Sequence, residues 1–271
     1  MQVTAILNQK GGVGKTTTAV NVAAAMAASG RRVCLVDLDP QANASVHLGV
    51  SLVPEDTSIY DVLTGDVKLA EVRQEVEKNL WLVPSHLNLA AAEVELAAEL
   101  GRELILRDQL AEDPMTPAFD QIIIDCPPSL GILTLNALAA STEVIIPLQP
   151  QFFALCGLVK LLETIEKVSR RINPKLRLGG VVFCMYESGT RLAQEVTDDV
   201  ERFFAAPDAH PILEDARIFK TRVRRNIKLA ESPGFGQSIF RYAPSSNGAE
   251  DYAKVAEEMM QRFFPVTSAT L

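Results

Sequence analysis

The sequence predicts an α/β fold built on a single doubly wound, mostly parallel sheet with helices on both faces. Three observations predict it. Short apolar runs alternate with segments of helical period from end to end, the order that a parallel sheet covered by helices produces. A glycine-rich stretch, NQKGGVGKTTT at residues 8–18, lies between the first apolar run and the first helical segment. Two further apolar runs carry aspartates at their ends, Asp37 with Asp39 and Asp125, where a strand would deliver them to the carboxyl edge of the sheet.

Taken in order, residues 3–7 read as the first strand, and 15–29, alanine-rich and stopped by Gly30, as the helix after the glycine loop. Residues 32–38 read as the second strand. Further strands are expected at 80–83, 121–125, 143–148 and 178–184, and helices at 89–110, 130–140, 157–171, 192–205 and 249–264. No internal repeat, low-complexity tract or linker-like stretch interrupts the chain, so residues 1–271 read as one domain.

With 271 residues, 48% of them hydrophobic, the chain can bury a large core. The opening MQVTAILNQ has no basic stretch followed by a long apolar run, and the glycine loop follows at once. Neither a secretory signal nor a DNA-reading module is expected ahead of it, and a cytoplasmic protein is. The longest uncharged stretch, 126–142, contains prolines and polar residues and falls short of the roughly 20 apolar residues of a membrane span, so it reads as a buried helix. Cys34, Cys126, Cys156 and Cys184 form no C-x-x-C and read as core thiols; with His47, His86 and His210 equally scattered, no soft-ligand metal centre is expected.

The standard phosphate-loop pattern, G-x-x-x-x-G-K-[ST], ends here at Gly14-Lys15-Thr16 and asks for a glycine at position 9. Position 9 is glutamine, and Lys10 adds a second lysine to the loop. Gly11, Gly12 and Gly14 free the backbone to wrap its N–H groups around phosphate oxygens, with Val13 and Thr17 in the same turn, and the helix starting near Lys15 adds its positive end. Lys15 suits the outer phosphates and Thr16 a magnesium ion. Asp125 can hold magnesium directly or through water, while Asp37 or Asp39 can orient an attacking water.

K-G-G-V-G-K-T-T-T, D-L-D-P-Q-A-N and I-I-I-D-C-P-P together closely resemble the ParA/MinD superfamily of deviant Walker ATPases. The resemblance continues through Gln149-Pro150, Met185-Tyr186 and Arg225-Asn226-Ile-Lys-Leu-Ala-Glu, nearly the whole chain. Asp39-Pro-Gln-Ala-Asn43 is similar to the ParA branch, the chromosome and plasmid partition ATPases, in their short form. The resemblance implies an ATPase, slow alone, that uses ATP and magnesium and forms an ATP-dependent sandwich dimer. It implies that Lys10 reaches the phosphates held by the other subunit, that Asp39 positions the hydrolytic water, and that Asn226 contacts the adenine. A cation supplied by a partner neutralises phosphate charge only when two subunits meet, which ties nucleotide state to dimerisation. The chain departs from the family's common pattern at Gln151, Cys156 and Arg224.

Net charge is −8, yet six of the 26 basic residues fall between Arg217 and Lys228, where no acidic residue occurs. The resemblance implies non-specific binding of double-stranded DNA through this island, by Arg217, Lys220, Arg222, Arg225 and Lys228 with Arg191 nearby, and release when a ParB-like protein stimulates hydrolysis. A nucleoid-associated ATP state follows. A MinD-like membrane switch is the alternative: Tyr252, Val255, Ala256, Met259, Met260 and Phe263 form an apolar stripe. The opposite face carries Glu250, Asp251, Glu257 and Glu258 against Lys254 and Arg262, whereas interfacial helices favour lysine and arginine, so a helix packed on the sheet is expected. A metabolic phosphate-loop enzyme would show an acceptor-substrate constellation and an electron-transfer subunit would show cluster-ligating cysteines, and the sequence displays neither.

Overall fold

The computed structural model describes residues 1–65, 67–206 and 211–263. Among the described residues eight strands form one sheet: β1 (Gln2–Ile6), β2 (Val33–Asp37), β3 (Gln74–Glu77), β4 (Leu80–Val83), β5 (Gln121–Asp125), β6 (Glu143–Leu148), β7 (Arg177–Phe183) and β8 (Arg217–Ile218). Their spatial order is β3-β4-β2-β5-β1-β6-β7-β8, parallel throughout except for β3, which runs against β4. The expected mostly parallel, doubly wound sheet is therefore what forms. Its central strands β2, β5 and β6 are buried along their whole length, because helices cover both faces and each residue meets apolar neighbours whichever way it points.

Period-two alternation divides the core into two layers. Val3, Ala5, Ile122 and Ile124 face the layer that contains the helices Ile132–Ala140 and Ala154–Arg171. Ile6, Ile123 and Ile145 face the layer of the helix Lys15–Ala28 and the last described helix, Asn247–Phe263. In that last helix Tyr252, Val255, Ala256 and Met259 are buried, so the apolar stripe is core, as expected of a helix packed on the sheet. The Phe263 side chain, Phe264 and His210 lie outside what is described.

The expected helix over 89–110 does not form as one piece. It breaks into short turns at Leu87–Ala91, Ala92–Glu95 and Leu96–Ala98, then resumes at Ile105–Glu112. Gly101, at φ +70°, takes the left-handed conformation that stops the run, and Val94 and Leu100 are left exposed. Strands β3 and β8 were not expected: β3 is a charged edge strand and β8 is two residues long. Cys156 is exposed rather than a core thiol, while Cys34, Cys126 and Cys184 are buried. Among the described residues no helix is long and apolar enough to cross a membrane.

Candidate nucleotide site

Strand order places the glycine loop at the sheet's centre. β1 lies between β5 and β6, and its register sets Ile6 beside Asp125, which in turn sits beside Asp37. The loop that leaves β1 therefore passes in front of two strand-end carboxylates. Asn8 anchors its start: its side-chain amide donates to the Pro147 carbonyl at 2.7 Å, and its Oδ1 accepts from the Lys10 N–H at 3.0 Å. Gly12 and Gly14 have φ of +74° and +94°, and Gly14 caps the helix Lys15–Ala28, whose Thr18 N–H donates back to its carbonyl at 2.8 Å. A side chain on Gly12 would be strained although the space beside it is open, so backbone conformation and not crowding demands glycine there. Val13 is buried and anchors the turn, which leaves its backbone to face a ligand.

Lys15 is buried behind the loop. Burial pushes its ammonium pKa down, against the pull of Asp125 and Asp39. Asp125 is fully buried, and neither of its carboxylate oxygens has a hydrogen bond of good geometry. Burial, helped by the negative charge of Asp37, pushes its pKa well above the usual carboxylate range, and the adjacent Thr16 hydroxyl only tempers the rise. A buried acceptor pair without a well-formed hydrogen bond, beside a hydroxyl and a lysine, has the chemistry of a hard-cation ligand.

The structure separates the two aspartates that the sequence left open. Asp37 is consumed internally: its carboxylate accepts from the Ser45 N–H at 2.8 Å, the Ser45 hydroxyl at 2.7 Å and the Asp39 N–H at 3.2 Å. Burial still pushes its pKa up to about 6. Asp39 has one oxygen occupied by the Gln41 N–H at 2.9 Å, and it lines a cleft of 430 Å³ with Gly11, Gly12, Lys15, Thr16 and Thr17. Asp39 is thus the carboxylate that faces the loop.

A second cleft of 370 Å³ adjoins the first, sharing Gly14, Thr17 and Met185, and continues along residues 223–227 to Leu229, Ala230 and Tyr252. Asn226 lines it and caps the helix Ile227–Glu231, its Oδ1 accepting from the Lys228 N–H at 2.8 Å. Met185, at φ +51°, sits where the two clefts meet, a strained conformation at a site edge. Sequence reasoning assigned no role to Tyr252, whose hydroxyl lies 3.0 Å from that of Thr18; within the sequence it looks like any other apolar helix position. Lys10 is exposed at the outer side of the loop, its ammonium hydrogen-bonded to the Gln151 side-chain oxygen.

The basic island is not a bare cationic patch, because the fold brings acids to it. Arg225 pairs with Glu187 at 2.9 Å, Lys228 with Glu231 at 2.8 Å and Arg191 with Glu195 at 2.7 Å. Arg222 lies over the Tyr186 ring, 4.7 Å from its centre, and reaches Glu201 at 3.5 Å. Arg217 does not belong with them. Its guanidinium is half-buried over Phe219, contacts the Glu258 carbonyl, and has its pKa lowered by burial and by Arg262, which pairs with buried Glu143 at the other end of the strands. The Lys220 N–H is likewise tied to Glu258, at 2.9 Å.

A mostly parallel sheet whose central strand feeds a glycine loop, with carboxylates at the adjoining strand ends, defines a phosphate-loop nucleotide-binding fold. A family model described as an AAA domain matches residues 1–178. The chromosome-partitioning ATPase Soj of Treponema pallidum is 44% identical over 257 residues, which cover 94% of this chain and 96% of that protein. The chromosome partitioning protein ParA of Myxococcus xanthus is 42% identical over 97% of this chain and 89% of its own length. The chain belongs to the family of Soj and ParA chromosome-partitioning ATPases. Among solved structures, cobyrinic acid a,c-diamide synthase of Mycobacterium smegmatis with bound ADP and magnesium is 35% identical, has a TM-score of 0.80, and covers 97% of this chain and 95% of its own. A variant of Cyanothece McdA, solved as its ATP complex, shares the fold at a TM-score of 0.81 and 21% identity, over 96% of each chain.

Proposed function

We propose that this chain, acting as a single domain over residues 1–271, is a magnesium-dependent partition ATPase whose ATP-bound homodimer grips DNA. The observation that carries the reading is the fully buried carboxylate of Asp125, without a well-formed hydrogen bond, beside Lys15 and Thr16. Thr16 and Asp125, directly or through water, would hold magnesium, whose charge when bound offsets that of the outer phosphates. The backbone of Gly11, Gly12, Val13 and Gly14 cradles the phosphates, Lys15 contacts the outer ones, Thr16 and Thr17 follow at the helix start, and Asn226 meets the base in the adjoining cleft. Asp39 faces the same space and orients the attacking water.

Lys10 is the one loop cation on the outside, so it is placed to enter a second subunit's site rather than its own. Arg191, Lys220, Arg222, Arg225 and Lys228 supply the DNA face, and two copies of it meet only in the dimer. Arg217 is left out of that face by its burial. Hydrolysis, slow alone and stimulated by a ParB-like protein, releases the dimer. The protein would then be cytoplasmic, and associated with the nucleoid in its ATP state.

The test is binding to random-sequence duplex DNA with magnesium and ATP, with ADP, and without nucleotide, across a salt series. Binding confined to the ATP state, lost in Lys15→Ala, with a log–log salt slope of about −0.9 per phosphate neutralised, is the expected result. DNA binding that ignores the nucleotide would refute the switch.

A further inference from the structure

The wall of the base cleft is held by one helix at two points. Arg224 lies in that wall, and its backbone N–H donates to Asp251 Oδ2 at 2.9 Å. Its side chain then closes on the same carboxylate: Nε donates to Oδ2 at 2.9 Å and to Oδ1 at 3.1 Å, and Nη2 donates to Oδ1 at 2.6 Å. Nη2 also reaches Glu250 at 2.9 Å. Asp251 is buried, 4% exposed, so the pair is shielded from solvent on its acidic side. The next residue of the helix, Tyr252, is itself buried and places its hydroxyl 3.0 Å from that of Thr18, on the helix that leaves the phosphate loop. Two consecutive residues of one helix therefore grasp the two sides of the cleft, Asp251 the extended segment of residues 223–226 and Tyr252 the loop helix.

The other side of the same segment is fastened to β7 and the loop after it. The Val223 N–H donates to the Phe183 carbonyl at 2.8 Å, the Tyr186 N–H to the Val223 carbonyl at 2.9 Å, and the Arg225 N–H to the Tyr186 carbonyl at 3.3 Å. Asn226 follows two residues after Arg224. A planar base is bound well only in a slot of fixed width, with its edge groups presented at a fixed depth. Hydrogen bonds to β7 and its following loop on one side and to Asp251 on the other restrain this segment, and with it Asn226.

We propose that Arg224 and Asp251 are positioning residues for the nucleobase, a charge-assisted brace that sets the width of the cleft and hence the contribution of the base to nucleotide affinity. The proposal rests on the nucleotide-site reading above. It distinguishes two halves of one ligand: the brace governs the base, and the loop with Lys15 governs the phosphates.

The experiment is calorimetric titration, with magnesium, of ATP, ADP and inorganic tripolyphosphate into the wild-type chain, Arg224→Ala, Asp251→Asn and the double variant. ATP and ADP affinity should fall about tenfold in each single variant, the scale of a lost charge-assisted hydrogen bond, while tripolyphosphate affinity stays at the wild-type value. The double variant should lose no more than either single one, because both remove the same brace. Arg224→Lys, which keeps the charge and is the gentler change if alanine prevents folding, should fall between wild type and Arg224→Ala. If tripolyphosphate and ATP weaken together, or neither weakens in any folded variant, the positioning role is overturned. If the wild-type chain binds neither ATP nor tripolyphosphate, it is the nucleotide reading itself that fails.

Discussion

Replacing Asp125 by asparagine should make the ligand-free protein more stable and the magnesium-nucleotide form less stable. The carboxylate is fully buried, neither oxygen has a donor in good geometry, and Asp37 and Asp39 add like charge. A carboxyl whose folded pKa is raised contributes stability below its unfolded value, near 4, and loses it as pH rises toward the folded value. At pH 8 in EDTA the wild-type chain therefore carries the cost of keeping an ionisable carboxyl out of water, a cost asparagine does not share, on the order of 1–3 kcal/mol. Asparagine is nearly the same size and does not ionise. At about 2–4 °C per kcal/mol for a domain approaching this size, Asp125→Asn should raise Tm by roughly 2–12 °C, and the gap should close as pH falls toward 4. Saturation with ATP and magnesium adds about 2.7 kcal/mol to wild type at a hundredfold excess over Kd, and the part of that gain that needs magnesium should vanish in the variant. Thermal melts in EDTA, in ATP with EDTA and in ATP with magnesium measure each step. A lower Tm for the variant in EDTA at pH 8, or a wild-type magnesium gain in the variant, would refute the assignment.

Asp39→Ala should keep ATP affinity within a few-fold while phosphate release falls by about 10²-fold or more, the scale of losing a positioned base, which equilibrium binding and single-turnover assays separate. Lys10→Ala should bind ATP as a monomer but fail to dimerise with it, and sedimentation velocity at several concentrations reads this directly. Glu187→Gln should free Arg225 and strengthen ATP-state DNA binding, whereas Arg225→Ala should weaken it and reduce the salt slope by about 0.9; equal affinity in all three proteins would remove Arg225 from the DNA face.

What could be read in advance follows the range of the forces involved. Strands β4, β5 and β6 coincide with the runs expected at 80–83, 121–125 and 143–148, because a strand buried on both faces must be apolar along its length. The glycine loop was equally legible, since positive φ at Gly12 and Gly14 is a local demand. β3 was hidden because an edge strand has one pairing partner and tolerates a charged QEVE. The resemblance pointed to Asp39, but the reason Asp37 is set aside was hidden, because it turns on Ser45, eight residues from Asp37 and delivered by a helix not foreseen. The island from Arg217 to Lys228 looked uniformly basic because four of its acidic partners, Glu187, Glu201, Asp251 and Glu258, are 21 or more residues away along the chain, and Glu231, the partner of Lys228, falls just beyond its end. Arg224 departs from the family's common pattern as a letter, and only the buried Asp251 shows what it holds.

The placement of the two loop lysines follows from the charge around them. Lys15 sits among Asp39 and Asp125, so the ligand-free centre holds more carboxylates than cations, and burial with like charge pushes the Asp125 carboxyl well above the usual range. Such a centre opposes a bare triphosphate and accepts one whose charge is already offset by a divalent cation. Lys10 stands outside this balance. Its contact is the amide of Gln151, which accepts a hydrogen bond without cancelling the charge, whereas a carboxylate there would hold the ammonium in place and neutralise it. On this reading the loop divides its two cations by reach: one is buried with the metal ligands to recognise the loaded nucleotide, and the other is kept charged at the surface for the subunit opposite.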